Sequence, residues 1–453
     1  MLVTSKLTYL RKTMLSARNI AALGFMTFAM YLGAGNLIFP SFLGYQAGDN
    51  LFQGMAGFLL AGVGLPAFAL VIVALVGGSD NLTSVLPRPL ATTFWIMVFI
   101  VIGPAFVIPR AITVAYQFGF SPFFGDNALG PFSIIFCIIA VLFSLYPGKL
   151  VDNLGKWLTP TLMAILLAMA IAALLFPSQG ISQATGAYVT SAFAEGVTQG
   201  YMTMDALGSI GFGWVIFRAI KSMGVTQPKA ITRYTLIAAL MYAVAMALVY
   251  ISLAYIGASS VGEYSNGGDI LTTFTTTHFG ILGTLLLGAV MILACLTTII
   301  GVTTAGSEFY SRTFSNVSYR NSVLVTMIIG ALVANIGLEQ LLQITQPVVV
   351  ALHPIAIALL LIAPLRRLVS MSGVLATLAA ALIFGALDAL HILGSMPANL
   401  DAILNQYLPL YACYAAWIVP TVIVLAIATS LTLFARSASA RVITENSIEL
   451  PQK

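Results

Sequence analysis

Apolar runs long enough to cross a bilayer follow one another along almost the whole 453-residue chain, and no other feature constrains its fold as much. A helix spanning the hydrocarbon layer needs about 20 largely apolar residues. Twelve runs meet that length: about 20 to 46, 51 to 76, 91 to 118, 130 to 147, 158 to 176, 192 to 218, 230 to 257, 282 to 310, 321 to 338, 341 to 363, 373 to 392 and 409 to 434. Inside lipid every backbone N–H and C=O must find an internal partner, so each run is predicted as a helix and the chain as an all-α membrane protein. Charged residues are 7% of the chain, against roughly 25% in a soluble domain. No large soluble domain fits between the runs. The formal charge of +5 does not indicate nucleic acid, because the basic residues lie in small scattered clusters.

Those clusters set the orientation. Lys and Arg in short loops are retained on the cytoplasmic side. With the N-terminus inside, Lys6, Arg11, Lys12, Arg18, Arg88, Lys149, Lys156, Arg218, Lys221, Lys229, Arg233, Arg312, Arg320, Arg366, Arg367, Arg436, Arg441 and Lys453 fall on that side, which is every Lys and Arg of the 19 except Arg110. The outer loops carry Asp49, Asp126, Glu263, Asp269, Glu339 and Asp401 and no basic residue. Trp95, Trp157 and Trp214 lie near predicted inner helix ends, as an interfacial aromatic belt places them. Cys137, Cys295 and Cys413 sit in apolar runs and read as buried soft side chains.

Two runs are interrupted. Gly33-Ala34-Gly35-Asn36 breaks the first, with Pro40 at a position suited to the first turn of a restarted helix. Gly208-Ser209-Ile210-Gly211-Phe212-Gly213 breaks the sixth, just after Asp205. Spans one and six hold the same place in two sets of five, and five is odd, so the second set enters the membrane upside down: an inverted repeat. The predicted division is a cytoplasmic segment 1–19, a first five-helix repeat 20–176, a second 192–363, two further helices within 373–434 and a cytoplasmic tail 435–453. Paired broken helices point to a midplane binding site, because unwound backbone frees amide and carbonyl groups. Half-helix N-termini favour a carboxylate, and free carbonyls favour an ammonium group or Na+. A zwitterionic amino acid with a cation satisfies both.

Gly24-Phe25-Met26-Thr27-Phe28, Gly33-Ala34-Gly35-Asn36-Leu37-Ile38-Phe39-Pro40, Ser144-Leu145-Tyr146-Pro147-Gly148-Lys149 and Gly200-Tyr201-Met202-Thr203-Met204-Asp205 together resemble the branched-chain amino acid:cation symporter family of bacteria, the BrnQ type. The resemblance covers nearly the whole chain. It implies a leucine-transporter-like fold in the cytoplasmic membrane, both termini cytoplasmic, and import of leucine, isoleucine and valine with Na+ as coupling ion. It implies no organic cofactor and no obligatory protein partner. The first-span motif also resembles the unwound segment of sodium-coupled leucine transporters, which implies that Gly33, Ala34, Gly35 and Asn36 form the substrate site. In it the amides of Ala34 and Gly35 receive the substrate carboxylate and the Tyr31 carbonyl its ammonium group. By the same resemblance the Ala206 carbonyl and Ser209 complete the ammonium site, Gly211 belongs to the sixth-span motif, and Phe212 packs on the aliphatic side chain.

For the cation, the resemblance implies the carbonyls of Ala29 and Leu32 with the hydroxyls of Thr297 and Thr298, Thr303 and Thr304 being the competing pair. A second site through Asn36 lacks a hydroxyl where Leu207 stands, so one cation is expected. Arg110 and Asp205 are deep in the membrane and expensive unless paired; they are a candidate gate or static ion pair. Glu308 beside Arg312 reads as an inner-surface ion pair. His278, His353 and His391 would serve a proton relay or make ordinary polar contacts, and H+ or Li+ is an alternative coupling ion. The competing classes are an uncoupled facilitator, a carrier of other neutral amino acids, and a membrane-embedded enzyme. The last needs a metal or nucleophile motif, and the sequence has no His-Glu-x-x-His, Gly-x-Ser-x-Gly or Walker-type Gly-x-x-x-x-Gly-Lys-Ser/Thr.

Overall fold

In the computed structural model, residues 15–125, 127–146, 156, 159–175 and 180–448 are described. Lys6, Arg11, Lys12, Asp126, Pro147, Gly148, Lys149, Trp157, Lys453 and the Arg441 side chain lie outside that set. The described residues are helical with short connections, and seven helical stretches are long and apolar enough to cross a membrane.

The chain opens with α1 (Ala17–Tyr31) and α2 (Ala34–Ala47). Ser16 caps α1 by accepting from the Asn19 amide at 3.2 Å. The break at Leu32–Gly33 is where the Gly-rich motif predicts it, but Pro40 lies well inside α2, which restarts at Ala34. Pro40 has no N–H, so the carbonyl one turn earlier, of Asn36, loses its helical donor. Next come α3 (Leu51–Leu59) and α4 (Leu65–Val76), joined by a π-helical turn, then α5 (Arg88–Ile100) and α6 (Val107–Val114). Between the last two, Gly103 leaves helical geometry at φ −105°, ψ −115°. Two shorter apolar helices follow, α7 (Leu129–Ser144) and α8 (Thr159–Leu175).

The sixth run is broken, but not where its glycines predict. It forms α9 (Tyr188–Met202) and α10 (Asp205–Ser222), parted by Thr203 and by Met204 in the left-handed region at φ 62°. Gly208, Gly211 and Gly213 all lie inside continuous α10. They serve contact instead: a Cβ on Gly211 would meet Phe99 Cε1 at 2.9 Å, and one on Gly213 would meet Val73 Cγ1 at 2.5 Å.

The remaining helices are α11 (Pro228–Ala258), α12 (Gly267–Thr313), α13 (Tyr319–Ala334), α14 (Leu338–Leu365), α15 (Met371–Ile392), α16 (Ala398–Tyr407) and α17 (Ile418–Ile448). Residues 267–279, predicted as outer loop, are helical: Asn266 caps them, accepting from the Gly268 and Asp269 amides at 2.8 and 3.2 Å, and Gly280 kinks them into the rest of α12. The last predicted run, 409 to 434, starts in a short turn at Tyr411–Cys413, just after α16, and its spanning helix begins only at Ile418.

Packing places both breaks at the centre. α9 lies along α3 and α10 along α4, while α11 lies along α2 and α1. Glycine makes these approaches close: a Cβ on Gly200 would sit 2.6 Å from Ala61 Cβ and 3.0 Å from Phe58 O, and one on Gly257 would sit 2.9 Å from the Ser41 carbonyl carbon. Apolar side chains face outward around the bundle, as Ile134, Ile135, Ile138 and Leu142 do on α7, which suits a lipid solvent.

Candidate functional site

The two breaks, the kinked third span and α12 enclose one small cavity, lined by Met30, Tyr31, Gly33, Ala34, Asn36, Ile102, Val107, Arg110, Thr203, Met204, Asp205, Gly208, Phe212, Thr298 and Val302. Each break contributes because its backbone stops pairing along a helix. Asn36 repairs the first: its Oδ1 accepts from the Gly33 amide at 3.1 Å. Its Nδ2 then reaches the second break and donates to Asp205 Oδ2 at 2.6 Å, and it is also bonded to the Tyr250 hydroxyl. Tyr250, from α11, donates to the same Oδ2 at 3.1 Å. One amide side chain thus ties the restart of α2 to the restart of α10.

Arg110 does the corresponding work for the carbonyl end of α9. Its Nη1 donates to Met202 O at 2.7 Å and Nη2 to Thr203 O at 3.4 Å, and its guanidinium lies 5.4 Å from the Phe39 ring centre. The Arg110–Asp205 ion pair considered from sequence is not formed within 4.0 Å: each side chain turns to other partners. Gly35 is where the guanidinium passes α2, since a Cβ there would lie 2.9 Å from Arg110 Nη2.

Of the residues assigned to substrate, Tyr31, Gly33, Ala34, Asn36 and Phe212 line the cavity, and Gly35, Ala206, Ser209 and Gly211 stand behind it. Ala206 lies in the first turn of α10, so its carbonyl points along an intact helix instead of into an unwound segment; the free carbonyls at this break are those of Met202 and Thr203. Ser209 donates to Asp205 O at 2.8 Å and accepts from the Tyr31 hydroxyl at 2.7 Å. Tyr31 packs edge-on to Phe212 with ring centres 4.9 Å apart. Sequence reasoning missed Ile102, Val107 and Val302, the aliphatic wall, and Tyr250. Val302 stands one helical turn after Thr298 and Ile102 beside the Gly103 kink, so helical period and the Gly-Pro pair were usable signals; Tyr250 had none.

Among the cation residues, Thr297 meets Ala29. Thr297 Oγ1 lies 2.9 Å from Ala29 O and 3.0 Å from Ala294 O, joining α12 to α1. Leu32 ends α1 with ψ 86°, which turns its carbonyl off the helix direction. Thr298 Oγ1 is buried without a hydrogen-bond partner, and a Cβ on Gly33 would lie 2.9 Å from it. Thr303 is buried too, but forms no bond to α1. No cluster of three or more His, Cys, Asp or Glu able to hold a metal occurs among the described residues. Two of the histidines make backbone contacts: Nδ1 of His278 with Phe274 O and Nδ1 of His353 with Val349 O, each at 2.8 Å. Glu308, next to Phe309 of the stacked rings of Trp95, Phe99, Trp214 and Phe309, pairs with Arg218 and, at 3.7 Å, with Arg312.

Comparison with known proteins gives the family and the fold. The chain is 39% identical over 422 residues to the branched-chain amino acid permease BrnQ of Escherichia coli (strain K12), covering 91% of this chain and 95% of that one. It is 41% identical to the branched-chain amino acid transport system 2 carrier protein of Pseudomonas aeruginosa, covering 83% and 88%, and 36% identical to the permease BraB of Bacillus subtilis, covering 93% and 97%. Among solved structures it superposes on Mhp1, a nucleobase-cation-symport-1 family transporter, with a TM-score of 0.60 at 14% identity, covering 92% of this chain and 93% of that one, which shows the fold alone. Residues 16–435 match the family described as branched-chain amino acid transport protein, and the chain, a multi-span membrane protein, belongs to that family.

Proposed function

We propose that the protein is a secondary active importer of leucine, isoleucine and valine, driven by Na+ symport and working by alternating access about the cavity between the two broken helices. The observation that carries this reading is the joining of two half-helix restarts through Asn36, in a cavity that has half-helix ends on one side and an aliphatic wall on the other. The N-terminus of α2 at Ala34 and Gly35 suits a carboxylate, and the Tyr31 end of α1 suits an ammonium group. Phe212, Ile102, Val107 and Val302 offer apolar contact without a polar partner, as a branched aliphatic side chain requires. Ala29 and Leu32 carbonyls with the Thr297 and Thr298 hydroxyls are a hard oxygen set suited to Na+, and the contact of the Thr297 hydroxyl with Ala29 O supports that choice over Thr303, which has no bond to α1.

Two five-helix sets inverted relative to each other, 20–176 and 192–363, are part of this reading. Its support is reciprocal packing: the helices after the first broken span lie along the second, and α11 after the second lies along the first. The remaining helices of 373–434 flank that pair, between the cytoplasmic segment 1–19 and tail 435–453, in a bacterial inner membrane.

Reconstituted protein should accumulate labelled leucine only with an inward Na+ gradient, and isoleucine and valine should compete. Thr297→Ala should raise the half-saturating Na+ concentration by about 10-fold, one hydroxyl–cation contact being comparable in worth to a hydrogen bond to a charged group, with Thr303→Ala unchanged. Leucine uptake indifferent to Na+ would support proton coupling or facilitation instead.

A further inference from the structure

Arg110 and Asp205 are the two charged side chains on one small cavity, 3% and 5% exposed, yet they do not pair. Isolated charges in a membrane interior are costly, and a direct contact would be the cheapest remedy. Each is instead held by neutral partners, and those of Arg110 leave part of its capacity unused. A guanidinium has five N–H donors; two of Arg110's go to Met202 O and Thr203 O, and its buried Nε has no partner. On Asp205, the Asn36 amide and the Tyr250 hydroxyl both converge on Oδ2, and neither reaches Oδ1. The Arg110 guanidinium lies against Gly35 in the first turn of α2, so a fixed cation and a half-helix N-terminus meet at one place. Asp205 stands across the second break at the head of α10.

We propose that Arg110 and Asp205 are the two poles of a zwitterion site: Arg110, with the first amides of α2, receives the substrate carboxylate, and Asp205 receives its ammonium group. This rests on the amino-acid transport reading and deepens it, because it replaces a site of backbone dipoles alone with one of opposed full charges. A bound amino acid completes two buried half-pairs at once, and the positions of the two poles set which of its ends enters where. Asn36 and Tyr250 are positioning residues that hold the Asp205 carboxylate in place. The site discriminates against ligands that carry only one charge, since each of those leaves one buried pole without its counter-charge.

The test is competition against labelled leucine on the full-length purified protein, with 4-methylpentanoate, which lacks the ammonium group, and isopentylamine, which lacks the carboxylate. On the wild type each should compete on the order of 100-fold more weakly than leucine or worse. In Asp205→Asn the loss should fall on leucine and isopentylamine, with 4-methylpentanoate unchanged or improved. In Arg110→Gln it should fall on leucine and 4-methylpentanoate, with isopentylamine spared. Should either single variant fail to fold, the double variant Arg110→Gln/Asp205→Asn keeps the cavity neutral; it should lose the preference for leucine over both analogues. A folded Asp205→Asn that binds leucine as the wild type does, variants that weaken all three ligands equally, or a double variant that keeps the leucine preference would overturn the proposal. Failure of the wild type to bind leucine would instead remove the transport reading on which it rests.

Discussion

Ser209 and Tyr31 share a hydrogen bond buried from all solvent, yet losing one partner is not the same as losing the other. Tyr31→Phe leaves Ser209 still bonded to Asp205 O, so only one bond disappears. Ser209→Ala removes the one acceptor of the Tyr31 hydroxyl in a site packed by the Phe212 and Tyr242 rings. An unsatisfied buried hydroxyl costs about 1–3 kcal/mol, against about 1 kcal/mol for a bond removed cleanly. Thermal unfolding in detergent should therefore rank wild type above Tyr31→Phe and Tyr31→Phe above Ser209→Ala. The reverse order would mean that the Tyr31 hydroxyl finds a second partner once Ser209 is gone. Legibility at this scale divides along the same line. Asn36 and Phe212 stood in motifs with local spacing and line the cavity. Tyr250, whose hydroxyl closes the Asn36–Asp205 triangle, is one aromatic among many in a long apolar run, and only the tertiary path of α11 brings it there.

Elements were read well wherever apolar length decided them and poorly wherever backbone conformation did. The Gly33 break was visible because two glycines within three residues weaken a helix where Gly33 takes extended backbone at φ −113°, ψ −167°. The break in the sixth span was misplaced because Met204 takes the left-handed conformation itself, against a preference of about 1–2 kcal/mol. The nearby glycines serve packing and drew the prediction several residues too far. Glycine in close helix contact has its own signature, Gly196-x-x-x-Gly200 on α9 against Gly54 and Gly57 on α3. A side chain at Gly200 would collide with Ala61 Cβ, Gly62 N and Phe58 O, two of them backbone atoms that cannot rotate away. Gly200→Val should cost about 3 kcal/mol or more through overpacking, read as lost folded yield or a lowered midpoint of detergent unfolding. Gly180→Ala, with open space around it, should be neutral. Equal behaviour of the two variants would show that α9 is not held against α3 as closely as the geometry requires.

At the scale of the whole molecule the same two-sided order emerges from charge and from contact. Residues assigned inside by the basic loops meet one another: Leu15 N donates to the Tyr234 hydroxyl at 2.8 Å, Thr232 to Ala74 O at 3.1 Å, Tyr319 to Ser144 O at 2.7 Å, and Arg218 and Arg312 flank Glu308. Residues assigned outside meet at the other end: Ala184 N donates to Asp49 Oδ1 at 2.9 Å, Thr185 N to Gln46 O at 2.8 Å, Tyr45 to Gly262 O at 2.8 Å and Ser182 N to Ala258 O at 3.2 Å. A single span wrongly added or dropped would have put partners from these two groups on opposite faces. The absolute direction rests on the basic loops alone, because lysine and arginine are retained on the cytoplasmic side. The contrast is testable at two exposed positions separated only by α11, Lys221 and Glu263. In a Cys413→Ser background, which removes the one half-buried native thiol, Glu263→Cys should react with a membrane-impermeant maleimide in intact cells. Lys221→Cys should react only after permeabilisation. Labelling of Lys221→Cys alone in intact cells would invert the orientation. Labelling of both positions would place them on one side and remove α11 as a crossing helix, which the two-ended contact pattern does not allow.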